Sequence, residues 1–127
     1  MWTTLLLDDD PADRDAIRRA MPETEHRLIE ADDLDDFLDR LTRERVELAI
    51  ISLAAVSEDT APRVQRALLR TPDTKILALA ALDKGDGLTT LLKAESLRAH
   101  HLLATPIDPQ QFLSILQVLF PLPTNQD

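Results

Sequence analysis

The chain switches repeatedly between two hydrophobic patterns. Short continuous apolar runs stand at Leu5-Leu6-Leu7, Leu48-Ala49-Ile50-Ile51, Ile76-Leu77-Ala78-Leu79-Ala80 and Leu102-Leu103-Ala104. Runs this short and without polar alternation read as strands buried on both faces. A further strand is expected over 27–31. Between these runs the apolar residues fall at helical spacing. The predicted stripes are Ala16, Ile17, Ala20 and Met21; then Leu34, Phe37, Leu38 and Leu41; then Val64, Ala67 and Leu68. Leu88, Leu91 and Leu92, with Glu95 in line, form the next, and Phe112, Ile115, Leu116, Leu119 and Phe120 the last.

The punctuation agrees with this division. Asp10 can N-cap the first helix with Pro11 at its first position, Asp32 or Asp33 the second, and Asp108 the last with Pro109 following. Proline at the first helical position costs nothing, because that N–H has no partner anyway. Pro22 stops the first helix, Thr71-Pro72-Asp73 is a turn, and Pro121-Leu122-Pro123 ends the final helix. Asp83-Lys84-Gly85-Asp86-Gly87 holds both glycines of the protein and is expected to be a flexible loop, with residues 124–127 fraying.

Strand therefore alternates with helix along the whole chain. Helical crossovers force parallel pairing and are right-handed. The expected fold is an α/β domain with a doubly wound, five-stranded parallel sheet, flavodoxin-like (βα)5, in strand order 2-1-3-4-5. That order sets the first and third strands side by side. It brings Asp8, Asp9 and Ser52 to one edge, the carboxyl edge where ligands sit in such sheets. One domain is expected over 1–121, followed by a tail over 122–127.

Composition narrows the function. A chain of 127 residues with 44% apolar content can bury a real core. Acids outnumber bases 23 to 14, which gives −9 and argues against nucleic acid and against an anionic membrane surface. Without cysteine there are no disulfides and no thiolate metal sites. No apolar run is long enough to span a bilayer and no signal peptide is visible, so the cytoplasm is the expected compartment.

The candidate chemistry is concentrated at Leu5-Leu6-Leu7-Asp8-Asp9-Asp10-Pro11. Two adjacent carboxylates at a strand end repel, and are usually held by a cation or by hydrogen bonds. Asp8 and Asp9 are thus either half of a Mg²⁺ site or a helix cap with one spare surface acid. Ser52 ends the third strand. Its hydroxyl is neutral and needs an adjacent base to act as a nucleophile, and no histidine is placed for that role. His100 and His101 are neighbours on a strand, point to opposite faces, and make a poor chelating pair.

Leu6-Leu7-Asp8-Asp9-Asp10-Pro11, with Arg14 three residues on, resembles the opening of a bacterial response-regulator receiver domain (CheY-like). Glu30-Ala31-Asp32-Asp33 resembles that family's second strand and its exit, Glu47 to Ile51 its third strand, and Thr105-Pro106-Ile107 the end of its fifth. The resemblance covers nearly the whole chain, from Thr3 to Phe120. It implies a module that takes a phosphoryl group from a histidine kinase on an aspartate ending the third strand. Here that position is Ser52. The phosphate-binding hydroxyl on the fourth strand aligns with Ala80, the aromatic switch on the fifth with Leu102, and the lysine before the proline with Thr105.

The acidic pair and Pro106, expected to follow a cis bond, are what remain. The resemblance therefore implies a degenerate pseudo-receiver: no enzyme, no cofactor beyond a weak or vestigial Mg²⁺ site at Asp8 and Asp9, and a phosphorylation-independent interaction role. Its implied partners are other signalling proteins, a histidine kinase or an output domain among them, or a second copy in a homodimer. Apolar Leu113 and Val118, off the core stripe of the last helix, offer surface for this. The apolar loop Leu53-Ala54-Ala55-Val56 is expected to fold over the vacated site or to dock on a partner. The alternative is a small-ligand or phosphate-binding enzyme on the same fold, against which stands the absence of a Gly-rich phosphate loop.

Overall fold

The computed structural model describes residues 1–81 and 87–121. Within them strand and helix alternate as β1 (Trp2–Leu7), α1 (Pro11–Ala20), β2 (His26–Glu30), α2 (Leu34–Arg43), β3 (Leu48–Ser52), α3 (Ala61–Leu69), β4 (Lys75–Ala80), α4 (Gly87–Ser96), β5 (His101–Ala104) and α5 (Pro109–Leu119). A single 3₁₀ turn, Leu53–Ala55, follows β3. The strands pair in parallel in the order β2-β1-β3-β4-β5. This is the doubly wound, flavodoxin-like arrangement that the alternating pattern predicts.

The pleat sends successive strand residues to opposite faces, so each apolar run feeds two cores. Leu5, Leu7, Ala49, Ile51 and Ala78 pack with Phe37 and Leu41 of α2, Val64 and Leu68 of α3 and Ala94 of α4. Leu6, Leu48, Ile50, Leu77, Leu79 and Leu103 pack with Ile17 of α1 and Phe112 and Leu116 of α5. The helix starts follow the capping chemistry. Asp10 accepts from the Ala12 N–H at 2.9 Å, Asp33 from the Asp36 N–H at 2.7 Å, and Asp108 from the Gln110 N–H at 3.0 Å.

Two details depart from the sequence pattern. β2 begins at His26, one residue earlier than predicted. Its buried ring lies 3.1 Å from the Thr4 hydroxyl through Nδ1 and forms a three-ring cluster with Trp2 and Phe120, which also touch each other. The second is the rotation of α4. The predicted stripe faces solvent: Leu88, Leu91 and Leu92 are 64%, 56% and 57% exposed, while Ala94 and Leu97 are buried. Lys93 explains the choice, because its ammonium donates to the Leu53 carbonyl at 2.8 Å and turns that side of α4 onto the 3₁₀ turn. Residues 82–86 of the expected flexible loop, and the tail 122–127, lie outside the described residues.

Candidate functional site

The site is built where β1, β3, β4 and β5 end. β1 delivers Asp8 into the interior, only 3% exposed. The chain turns at once into α1, so the Asp10 N–H donates to Asp8 Oδ1 at 2.9 Å. Asp8 Oδ2 is buried and has no hydrogen-bond partner among the described residues. Asp13, in the first turn of α1, faces the same carboxyl group. Burial, first, and then the charge and proximity of Asp13 push the Asp8 carboxyl from 3.8 up to about 6, against the lowering effect of the Asp10 N–H. Burial and the charge of Asp10 also raise Asp13. Asp9 is exposed at the rim. The repulsion that the sequence assigns to Asp8 and Asp9 thus falls chiefly on Asp8 against Asp13.

β3 delivers Ser52, buried and in register with Leu79. Ala80 of β4 pairs with Ala104 of β5, and Thr105 follows, joined to Pro106 by a cis peptide bond as expected. A cleft of about 360 Å³ separates the four carboxylates of Asp8, Asp9, Asp10 and Asp13 from Ser52, Ala80 and Thr105. Every predicted site position except Leu102 and Pro106 lines it. Leu102 is half-buried two residues before the carboxyl end of β5 and packs with the α2–α3–α4 core. The turn Leu53–Ala55 folds inward, with Leu53 and Val56 buried in the same core as Ala80. The apolar loop therefore packs inward, but the cleft beside it stays open.

This arrangement limits the chemistry. Among the described residues, no lysine, arginine or histidine lines the cleft. A serine hydroxyl without a base is a poor nucleophile, and the four carboxylates do not themselves attract a phosphate. Among the described residues, no group of three His, Asp or Glu is arranged to hold a metal ion. The one feature that suits a cation is the unpartnered Asp8 Oδ2 beside Asp9, a hard oxygen pair. Arg14 of the sequence motif lies elsewhere. Its Nε and the Arg18 guanidinium converge on Glu30, at 3.1 and 2.7 Å, and hold that carboxyl below its usual range.

Sequence reasoning passed over Asp13 and Lys93. Asp13 carried a signal, since an acid in the first turn beyond a capping Asp10 points back toward the strand end. Lys93 carried none, because its partner is a backbone carbonyl forty residues away in the chain.

No protein-family model and no curated protein matches the sequence. Solved structures do match in shape. A response regulator from Thermotoga maritima superposes with a TM-score of 0.79 at 18% identity, covering 94% of this chain and 97% of its own. The REC domain of the response regulator AraT from Geobacillus stearothermophilus gives 0.78 at 22% identity, covering 93% and 92%. A response regulator from Burkholderia pseudomallei, with a phosphorylated aspartic acid, a calcium ion and citrate, gives 0.74 at 20% identity, covering 92% and 67%. At these identities the likeness establishes architecture: the chain has the fold of the CheY-like receiver domains of response regulators.

Proposed function

We propose that this chain is a pseudo-receiver: a phosphorylation-independent protein-interaction module of bacterial signal transduction. The observation that carries the reading is Ser52. It stands at the end of β3, beside Asp8 and Asp9, where phosphoryl transfer calls for an ionised oxygen nucleophile. Ala80 offers no hydroxyl and Thr105 no ammonium to neutralise phosphoryl oxygens. One solved neighbour carries a phosphorylated aspartic acid; this cleft has no carboxylate in the β3 position to receive one. Asp8 and Asp9, with the Ala54 carbonyl, are the groups that would hold Mg²⁺, which supplies positive charge for phosphoryl oxygens. Without a carboxylate at Ser52 that site is weak or vestigial.

What remains is a rigid scaffold with apolar side chains in water. Leu88, Leu91 and Leu92 on α4 and Leu113 and Val118 on α5 are exposed. Contiguous exposed apolar surface marks protein contact. A histidine kinase, an output domain or a second copy of the chain are the partners this surface suits. Intact-mass spectrometry after incubation with acetyl phosphate and Mg²⁺ tests the central point. The expected spectrum is that of the unmodified chain. A stoichiometric gain of one phosphoryl group overturns the reading.

A further inference from the structure

The end of the sheet opposite the carboxylates carries a second concavity. A groove of about 400 Å³ runs between the C-terminal ends of α3 and α4, and its walls include Leu68, Leu69, Pro72, Ile76 and Leu97. Leu69 is 59% exposed there. The hydroxyls in this groove are already spent on backbone carbonyls: Thr71 on Leu68 at 3.3 Å, Thr74 on Val46 at 2.7 Å and Ser96 on Lys93 at 2.7 Å. His100 Nδ1 accepts from the Ile76 N–H at 3.0 Å, which leaves the proton of the neutral ring on Nε2. Among the described residues, the lining polar side chains without a partner are the Arg98 guanidinium, the Gln65 amide and His100 Nε2–H. Lys75 stands close enough for its charge to act on His100. Among the described residues neither Arg98 nor Lys75 is in an ion pair, in a chain whose net charge is −9.

The backbone adds a second observation. Arg98 has φ of 58°. Its N–H bonds the Glu95 carbonyl at 2.9 Å and the Ala99 N–H bonds the Ala94 carbonyl at 3.1 Å, the paired bonds of a Schellman helix end. Glycine is the usual occupant of that left-handed position, and an arginine there is strained. Strain at a residue that lines a groove is a pointer to function.

We propose that this groove binds a small carboxylate with an apolar body. The carboxylate sits on the Arg98 guanidinium and His100 Nε2–H, and the body lies along Leu68, Leu69 and Leu97. A volume of about 400 Å³ falls within the range of small-molecule sites. Arginine pairs with a carboxylate through two parallel hydrogen bonds, and apolar walls strengthen them. The site lies at the far end of the sheet from Asp8 and does not depend on the reading of that cleft.

Octanoate is the probe, followed by backbone amide shifts of the whole chain. Saturable shifts are expected, confined to residues 65–76 and 96–100. Octanol, which keeps the chain and loses the charge, and acetate, which does the reverse, are each expected to bind at least about tenfold more weakly. Arg98→Gly removes the guanidinium while suiting the left-handed backbone, so the variant keeps or gains thermal stability as its octanoate affinity falls at least about tenfold. Equal binding of octanol, unchanged binding by Arg98→Gly, shifts centred on the leucines of α4, or no saturation below about 10 mM would each overturn the proposal.

Discussion

Replacing Asp8 by asparagine removes a buried charge that this fold holds at a cost. The folded chain raises the Asp8 carboxyl from 3.8 to about 6. At roughly 1.4 kcal/mol for each pH unit, holding it ionised costs about 3 kcal/mol at neutral pH. Asparagine keeps the oxygen that accepts from the Asp10 N–H. It also places an amide N–H₂ where the unpartnered Oδ2 now stands, so an acceptor facing Asp13 becomes a donor. The sign follows from linkage. A raised carboxyl pKa contributes stability that is complete below the unfolded value and is lost as pH rises through the folded one. The parent chain therefore loses that contribution between about pH 4 and pH 6, and Asp8→Asn does not.

Thermal and urea unfolding, followed by circular dichroism in chelator, give the comparison. Near pH 7.5 the variant should be more stable by about 2–3 kcal/mol, or roughly 10 °C in Tm for a domain of this size. Near pH 4 the gap should shrink to less than about 1 kcal/mol, because the parent carboxyl is then protonated. About 10 mM Mg²⁺ should narrow the neutral gap by less than about 1 kcal/mol, as a weak site requires. A variant no more stable than the parent at neutral pH, or a gap independent of pH, would refute the reasoning. Asp8 would then be a well-partnered carboxylate.

Two further outcomes follow from the geometry. Leu91→Ser and Leu92→Ser should each change the unfolding free energy by less than about 0.5 kcal/mol, whereas Leu97→Ala should cost about 2–5 kcal/mol; urea unfolding that reverses the order would return α4 to its predicted rotation. Burial holds the His26 ring below its ordinary 6.5, so its share of stability is full above that value and is lost as pH falls toward the folded pKa. Its imidazole proton resonances should titrate with a midpoint below 6.5, and stability should fall more steeply with acid in Asp8→Asn than in the parent, where Asp8 opposes the loss.

The order of elements was legible because it is written in short-range features. Continuous apolar runs, a capping Asp10 or Asp108 beside Pro11 or Pro109, and proline stops fix where the chain extends and where it coils without reference to distant residues. The strand order then follows from packing rules, and with it the meeting of Asp8, Ser52, Ala80 and Thr105 at one edge. The rotation of α4 was not legible. Its strongest apolar stripe is Leu88, Leu91 and Leu92, and nothing within the helix says that Lys93 reaches the carbonyl of Leu53. The strain at Arg98 was hidden for a related reason. A Schellman end is usually signalled by glycine, and here the geometry is kept without its signal.

The acidic cleft shows how one position shapes its surroundings. Ser52 places no further charge beside Asp8, so the carboxyl groups of Asp8 and Asp13 face each other at a cost borne by Asp8. The same neutral side chain lets an apolar turn follow directly. Leu53 and Val56 enter the core beside Ala80, since the strand end they leave carries no ionised group needing water. The turn's backbone is in turn tied to α4 through Lys93, which leaves the α4 leucines outward. The sheet edge at Ser52 and the apolar surface on α4 are therefore linked through the Lys93 hydrogen bond at Leu53. The helix that carries those leucines is thus joined directly to the turn that forms one side of the cleft.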